Sequence, residues 1–252
     1  MKKITFVIFT TFMMITSCSE KQPDKLNIAV SSNMQFAMKE LSKSFTTETG
    51  INCDLIISSS GKLTAQIMEG APFDVFVSAD IKYPTELFNA GFTTQEPKIY
   101  AYGKLVMLSM IEAIVPSLET LDDSTIKHIA LPNPKMAPYG IAALEVLKKY
   151  TIYENLKDKF VYGESVSQTN QFILSKSAEI GFTAKSVVLS PNMKGKGSWI
   201  ELNENDYTPI KQGVVIINHQ NKKLQNAEIF YSFLFSNKGK EILENFGYAV
   251  NH

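Results

Sequence analysis

The chain has 252 residues, of which 44% are hydrophobic and 20% charged, a composition that excludes a disordered or fibrous protein and suits one large domain or two lobes. Lysine plus arginine and aspartate plus glutamate number 25 each, so the formal net charge is zero. A neutral chain is not expected to bind nucleic acid, which favours a basic partner, and any anion it captures must be held by local dipoles.

The N-terminal segment predicts export. A basic start at residues 1–3 precedes an apolar run at residues 4–15, which is too short to predict a membrane span. Cys18 follows Thr16 and Ser17, as in a bacterial lipoprotein signal whose cysteine carries the lipid. We expect residues 1–18 to be a lipoprotein signal peptide and Cys18 to be lipidated; the alternative is plain cleavage to a soluble product. Cys53 then has no disulfide partner, and its apolar surroundings predict a buried side chain in a strand.

Strand-like and helix-like segments alternate along the remaining chain. Short apolar runs predict strands at residues 26–30, 51–57, 73–77, 105–108, 129–131, 160–162, 180–182 and 214–217. Apolar residues at helical spacing predict helices at residues 34–45, 63–68, 83–89, 141–150, 166–174, 227–235 and 238–246. This alternation predicts an α/β fold with mostly parallel sheets.

The length also predicts how these elements are divided. Two lobes with a cleft between them fit the chain better than one sheet of about ten strands. If the terminal helices return to the first lobe, that lobe comprises residues 26–102 plus 218–252, and the second lobe comprises residues 103–217. The chain would then cross between the lobes near Tyr102 and near Ile217.

Four turns at strand-to-helix junctions carry the polar residues that point to a ligand. They are residues 31–33 (Ser-Ser-Asn), 59–61 (Ser-Ser-Gly), 137–140 (Ala-Pro-Tyr-Gly) and 164–166 (Glu-Ser-Val). Ligands of open α/β sheets bind beyond the carboxyl ends of the strands, where helix N-termini present unpaired N–H groups and a partial positive charge. Several such ends converging on one point predict an anion site that needs no lysine or arginine.

Hydroxyl groups of Ser32, Ser60 and Tyr139 would add hydrogen-bond donors to such a site. A fully ionised oxyanion accepts hydrogen bonds and donates none, so a shell made of donors suits it. Charge-assisted hydrogen bonds would offset the cost of burying the charge. Serine is also a preferred helix N-cap residue, so each turn taken alone has a purely structural interpretation.

Three stretches of the chain are similar to one known family: residues 28–33 (IAVSSN), 58–63 (SSSGKL) and 66–80 (QIMEGAPFDVFVSAD). Shorter matches occur at residues 138–140 (PYG), 181–182 (GF) and 246–248 (FGY). Together they resemble the periplasmic molybdate-binding proteins of ABC transporters over nearly the whole mature chain.

The resemblance implies the two-lobed type II periplasmic binding protein fold, with mixed sheets flanked by helices. It implies an extracytoplasmic receptor that holds molybdate or tungstate in the cleft through neutral donors. Carried over by motif, the oxyanion-binding residues are Ser32, Asn33 through its backbone, Ser60, Tyr139 and Val166 through its backbone N–H. The resemblance also implies a monomer without a cofactor, which works with a separate ABC permease and ATPase.

Some members of the family place a binding tyrosine just after the strand at residues 180–182, where this chain has Ala184. Others place it in the Pro-Tyr-Gly turn, so we expect Tyr139 to supply the phenol and Ala184 not to bind through its side chain. Lys62 is the charge nearest to the predicted site, but Leu63 departs from the P-loop pattern, so we expect Lys62 to be solvated. Asp74 and Asp80 are expected to cap local structure.

Two alternatives compete with this interpretation. Sulfate shares its shape and charge with molybdate and stays open as a ligand, whereas protonated phosphate is disfavoured because the predicted shell contains no carboxylate to accept its hydrogen. An exported hydrolase would need a base beside a serine. The histidines His128, His219 and His252 stand in no such pattern, and no Gly-x-Ser-x-Gly motif is present, so we predict no enzyme activity.

Overall fold

The computed structural model describes residues 25–218 and 223–250. The predicted signal peptide with Cys18 lies outside these residues, as do His219 and His252. Among the helices within these two ranges, none is long and apolar enough to cross a membrane.

The first lobe is built on a five-stranded sheet. Its strands are β1 (Leu26–Ser31), β2 (Cys53–Ser58), β3 (Val75–Val77), β4 (Lys98–Gly103) and β10 (Ile210–Ile216). Their order across the sheet is β2-β1-β3-β10-β4. β1 pairs in parallel with β2 and β3, whereas β10 runs antiparallel to β3 and β4. The parallel strands β1, β2 and β3 therefore end at the same edge of the sheet.

The second lobe repeats this arrangement with its own five-stranded sheet. Its strands are β5 (Leu105–Ser109), β6 (Ile129–Pro132), β7 (Phe160–Gly163), β8 (Ile180–Ala184) and β9 (Ser198–Glu201). Their order is β7-β6-β8-β5-β9. β6 is parallel to β7 and β8, and β5 is antiparallel to β8 and β9. Each lobe has one strand that is antiparallel to both neighbours: β10 in the first lobe and β5 in the second. Each of these strands is the first one formed after the chain crosses from the other lobe.

Helices connect the strands and cover the sheets. The first lobe contains α1 (Gln35–Thr49), α2 (Ser60–Met68), α3 (Lys82–Asn89), α8 (Leu224–Leu234) and α9 (Asn237–Asn245). The second lobe contains α4 (Pro138–Lys149), α5 (Tyr153–Leu156), α6 (Val166–Leu174) and α7 (Lys185–Val188). A 3₁₀ helix at Ser32–Met34 leads into α1, which ends at Gly50 because this residue adopts a left-handed φ of 74°.

The return to the first lobe occurs earlier in the chain than the sequence predicts. The predicted second lobe (103–217) includes the strand at residues 214–217, but β10 pairs with β3 and β4 in the first sheet. The boundary near Ile217 is therefore wrong, and the chain returns before Ile210. An apolar strand pattern does not say which sheet it joins, because neighbouring strands far apart in the chain decide that.

Each lobe packs around its own buried residues. Side chains alternate along β1, so Ile28 and Val30 pack in a cluster with residues of α1, α8 and α9. Ala29 points to the other face and packs in a cluster with Leu63 of α2 and Leu87 of α3. A separate cluster fills the second lobe. The first sheet is therefore covered on both faces, and α8 and α9 pack against this lobe.

Cys53 lies at the start of the edge strand β2, where it is half-buried. Burial raises the pKa of its thiol to about 11. Because the thiolate is the reactive form and an unfolded cysteine has a pKa of about 8.5, we expect native Cys53 to react about a hundredfold more slowly at about pH 8. Labelling with an aromatic disulfide reagent, with and without denaturant, in a Cys18→Ser variant would measure this. Equal rates in the two states would contradict the prediction.

Candidate functional site

The four polar turns lie at the carboxyl ends of parallel strands. Residues 31–33 lie at the end of β1 and residues 59–61 follow β2 in the first lobe, whereas residues 137–140 come after β6 and residues 164–166 after β7 in the second. The two pairs of turns meet between the lobes, where the Gly61 amide donates to the Met136 carbonyl oxygen over 3.1 Å. The helix starts of both lobes therefore face one cleft.

The structural N-cap interpretation accounts for only one of these turns. The N-cap residues of the 3₁₀ helix, α2 and α4 are Ser31, Ser59 and Ala137, and no side-chain capping bond forms at any of the three. Only Ser165 caps its helix, α6, by accepting a hydrogen bond from the Gln168 amide at 3.2 Å. In the first two turns, the hydroxyl groups of Ser31, Ser32 and Ser60 have other partners, whereas the buried Ser59 hydroxyl has none among the described residues.

Ser60 contacts the end of β1 through Ser31, the residue before the predicted Ser32. The hydroxyl oxygens of Ser60 and Ser31 lie 2.6 Å apart. The backbone amide of Ala79, just beyond β3, donates to both oxygens at 3.1 Å. The ends of β1, β2 and β3 are thus joined by one small group of buried polar atoms.

Ser32 points across the cleft to the start of α6. Its hydroxyl oxygen accepts a hydrogen bond from the Ser167 amide at 3.4 Å, and the Ser167 hydroxyl donates to Gln35 Oε1 at 3.1 Å. Val166 is the first residue of α6, so its amide has no acceptor within the helix. Ser32 therefore contacts Ser167, the residue next to the predicted Val166.

Asn33 and Tyr139 meet through Gln212 of β10. Asn33 Nδ2 donates to Gln212 Oε1 at 3.0 Å, and Gln212 Nε2 donates to Tyr139 Oη at 3.1 Å. Burial and the neighbouring Tyr248 phenol raise the pKa of Tyr139 well above its usual value, so its hydroxyl group stays protonated and can donate. Asn33 Nδ2 is occupied by Gln212 and Tyr248, and Asn33 Oδ1, which has no partner among the described residues, can only accept, so the backbone N–H of Asn33 is the group that suits an oxyanion.

The structure brings the five predicted residues into one connected region. Ser32, Asn33, Ser60, Tyr139 and Val166 are each at most 3% exposed. Ser32, Ser60 and Val166 are first residues of their helices, so their amides lack intrahelical acceptors and carry the positive end of the peptide dipoles. The region can therefore present several neutral donors to one enclosed acceptor.

Charged side chains lie at the margins of this region. Lys62 forms a 2.7 Å ion pair with Glu164 at the mouth of the cleft, and the two side chains are 48% and 62% exposed. Lys62 is thus largely solvated, as predicted, and its ammonium group lowers the pKa of Glu164. Asp80 accepts a hydrogen bond from the Tyr83 amide at 3.2 Å, and Asp74 accepts one from the Asn27 amide at 2.7 Å, so both carboxylates bind backbone.

The Lys62–Glu164 ion pair joins the two lobes, and we expect it to make a small contribution to ligand retention. Because exposed ion pairs are weak, Lys62→Gln is expected to reduce ligand affinity by no more than about fivefold. Lys238→Gln is a matched control, since Lys238 forms a 2.9 Å pair with Glu241 at similar exposure, within α9. Calorimetric titration of both variants would measure the effect. A loss above about fiftyfold in Lys62→Gln would mean that Lys62 touches the ligand.

Sequence reasoning missed three groups at the site: the Ser31 hydroxyl, the Ala79 amide and the Gln212 side chain. Ala79 follows β3, and the end of a strand parallel to β1 was a usable signal. No local sequence pattern identifies Gln212 as a site residue. It lies in β10, where a β-bulge interrupts the pairing with β4 between Gln212 and Gly213. Ala184 is fully buried at the end of β8 and has only a methyl side chain.

The geometry of this region fits capture of a ligand. His128, the histidine within the described ranges, precedes the amino end of β6, lies 3.7 Å from Glu179 and is half exposed. The described residues contain no group of three or more histidine, cysteine, aspartate or glutamate side chains that could hold a metal ion. A two-lobed fold with donors from both lobes around one cleft defines a ligand-binding protein.

The chain belongs to the family of bacterial extracellular solute-binding proteins, whose family profile matches residues 26–249. The molybdate-binding protein ModA of Rhodobacter capsulatus is 35% identical over 223 residues, covering 88% of this chain and 87% of that protein. The structure of the periplasmic molybdate-binding protein of Azotobacter vinelandii superposes with a TM-score of 0.85 at 33% identity, covering 90% of this chain and 100% of that chain.

The sulfate-binding protein SubI of Mycobacterium tuberculosis H37Rv has a TM-score of 0.71 at 11% identity, with coverage of 89% of this chain and 85% of that chain. This likeness shows the shared fold alone. The similarities to the two molybdate-binding proteins confirm the resemblance and the periplasmic binding protein fold predicted from the sequence. The protein is a binding protein and not an enzyme.

Proposed function

We propose that the protein captures molybdate, and equally tungstate, in the cleft between its lobes and delivers it to an ABC importer. The observation that carries this proposal is the meeting of helix starts and hydroxyl groups from both lobes around Ser32, Ser60, Tyr139 and Val166. The backbone of Asn33 completes the proposed set. The named relatives that bind molybdate support the same ligand.

The physical chemistry of the region supports a fully ionised oxyanion. A buried dianion is costly unless each oxygen accepts hydrogen bonds, and neutral N–H and O–H donors can supply them without a cation. The nearest lysine at the mouth, Lys62, is already paired with Glu164. Each charge-assisted bond contributes about 1.5–3 kcal/mol, so a handful of them suffices for tight binding.

Delivery requires other chains. We propose that a membrane permease and an ATPase of the ABC type receive the ion, and that the protein works as a monomer in the periplasm or cell envelope. A lipid on Cys18 would hold it at the membrane. Expression of the full chain and of Cys18→Ala in a bacterium, followed by fractionation, tests the anchor: the parent chain should be in the membrane fraction and the variant outside it. If the parent chain and the variant are both found outside the membrane fraction, plain signal cleavage is favoured.

The ligand is tested by thermal unfolding of the dialysed protein with molybdate, tungstate, sulfate and phosphate. A ligand that binds only the native state at about a thousand times its Kd stabilises by about 4 kcal/mol, which for a chain of this size raises Tm by roughly 8–16 °C. We expect that shift with molybdate and tungstate, and a much smaller one with phosphate. A larger shift with sulfate would reassign the receptor to sulfate, and no shift with any of the four would contradict an oxyanion receptor.

A further inference from the structure

We propose that Gln212 is a positioning residue that directs the hydroxyl hydrogen of Tyr139 into the cleft. The proposal rests on the proposed function, in which the Tyr139 phenol donates to the bound oxyanion. It identifies a group on β10, outside the four polar turns, that determines how one of the ligand-binding residues behaves.

The direction of the hydrogen bonds follows from a carbonyl oxygen that can only accept. The backbone oxygen of Asn33 accepts from the Tyr248 hydroxyl at 3.1 Å and from the Ser186 hydroxyl at 2.7 Å. The hydrogen of Tyr248 is therefore committed to Asn33, and the Tyr248 oxygen accepts from Asn33 Nδ2 at 3.1 Å. The amide nitrogen of Asn33 thus faces Tyr248, and its second hydrogen is directed to Gln212 Oε1.

The orientation of the Gln212 amide follows from the Asn33 amide nitrogen, which faces its oxygen. Gln212 Oε1 accepts from Asn33 Nδ2 at 3.0 Å and lies 2.8 Å from the Tyr100 hydroxyl, whose one hydrogen is shared between this oxygen and the Ser78 carbonyl oxygen at 3.2 Å. Burial raises the pKa of Tyr100 well above its usual value, so this phenol keeps its hydrogen. Because Asn33 Nδ2 can only donate, Oε1 and not Nε2 must face it, and Nε2 is directed to Tyr139 Oη at 3.1 Å. Because Tyr139 accepts this hydrogen bond, its own hydrogen is left for another acceptor.

Gln212 and Tyr139 are closely packed against each other and against β4. Gln212 and Tyr139 are completely buried. A Cβ atom on Gly103, at the end of β4, would lie 2.2 Å from Tyr139 Oη and 2.4 Å from Gln212 Nε2. The phenol and the amide therefore both pack directly against the backbone of Gly103, where a larger residue would displace them. Tyr139 can only donate to a ligand oxygen, which favours a fully ionised oxyanion over one whose hydrogen must be accepted.

A double-mutant cycle tests the proposal by calorimetric titration with molybdate. Tyr139→Phe removes the phenol, and Gln212→Met removes the amide at similar length. We expect each single variant to lose about tenfold or more in affinity, and Gln212→Met to cost less than about twofold more when Tyr139 is already phenylalanine. A structural role for Gln212 would instead cost the same in both backgrounds, and that result would overturn the proposal.

The outcomes separate this proposal from the proposed function. If molybdate binds the parent chain but Tyr139→Phe leaves affinity unchanged, the phenol is not a ligand donor and the proposal fails while the receptor stands. If the parent chain does not bind molybdate, the proposed function fails.

Gln212→Glu supplies a second test in case Gln212→Met does not fold. In this variant an ionised carboxylate at position 212 would accept the Tyr139 hydrogen and weaken binding, whereas the protonated carboxyl group can donate to Tyr139 as the glutamine does. Burial raises the pKa of a carboxyl group by up to several units. Molybdate affinity of this variant should therefore rise at least about tenfold between about pH 9 and about pH 6, while the parent chain stays level. A Gln212→Glu profile as flat as that of the parent would overturn the proposal.

Discussion

Val166→Pro is expected to weaken molybdate binding by about tenfold to a hundredfold while leaving the fold intact. Val166 is the first residue of α6, a position where proline is tolerated because its amide has no helical acceptor. The preceding Ser165 is already extended, with φ −152° and ψ 166°, as a residue before proline must be. The substitution therefore removes one backbone donor, and a hydrogen bond to a charged ligand is worth about 1.5–3 kcal/mol.

Val166→Ala is the matched control for this prediction. It shortens a side chain that is 2% exposed in the core of the second lobe but keeps the backbone N–H. Calorimetry should give near-parental affinity for the alanine variant, and circular dichroism should show both variants folded. If the proline and alanine variants bind molybdate equally well, the Val166 amide does not hold the ligand.

Gly140→Ala is expected to lower the free energy of unfolding by about 3 kcal/mol and to displace Tyr139. A Cβ atom at position 140 would lie 2.0 Å from the carbonyl oxygen of Pro132, a backbone atom at the end of β6. Relief requires α4 to move away from the strand, because neither group has a flexible side chain at the contact. Since Tyr139 precedes Gly140 in α4, ligand affinity should fall with stability.

Gly50→Ala is the comparison for Gly140→Ala. It adds the same methyl group where no atom lies within 4 Å, at a left-handed φ of 74°. The backbone strain alone is expected to cost about 1 kcal/mol, with no change in ligand affinity. Urea unfolding and molybdate titration of both variants would separate strain from overlap. A Gly140→Ala protein as stable as Gly50→Ala would show that α4 can shift without cost.

Much of the fold could be predicted because its signals are local. The helix at Val166–Leu174 begins and ends where apolar spacing places it, and Gly50 ends α1 by its own conformational freedom. The location of the four turns also follows from local alternation of strand and helix. Short or exposed elements carried weaker signals, so β9 (Ser198–Glu201) and α7 (Lys185–Val188) were not predicted.

The sequence predicted which residues form the site more completely than it predicted the contacts between them. A serine beyond a strand predicts that a hydroxyl lies at the sheet edge, but not which neighbour it meets. Ser31 bonds Ser60 and Ala79, while Ser32 turns to Ser167 in the other lobe. Adjacent residues of a chain leaving a strand point in different directions, and only the surrounding elements decide what each one reaches.

Local patterns in the amino-acid sequence were enough to specify most elements, the α/β class and the four turns rich in donors, because backbone propensity, apolar periodicity and caps act over a few residues. The division into two lobes came from the chain length and the family resemblance. The return of β10 to the first sheet and the meeting of Gln212 with Asn33 and Tyr139 came instead from the folded molecule. Those contacts join segments far apart in the chain. Their formation depends on packing the whole protein, so no local pattern specifies them.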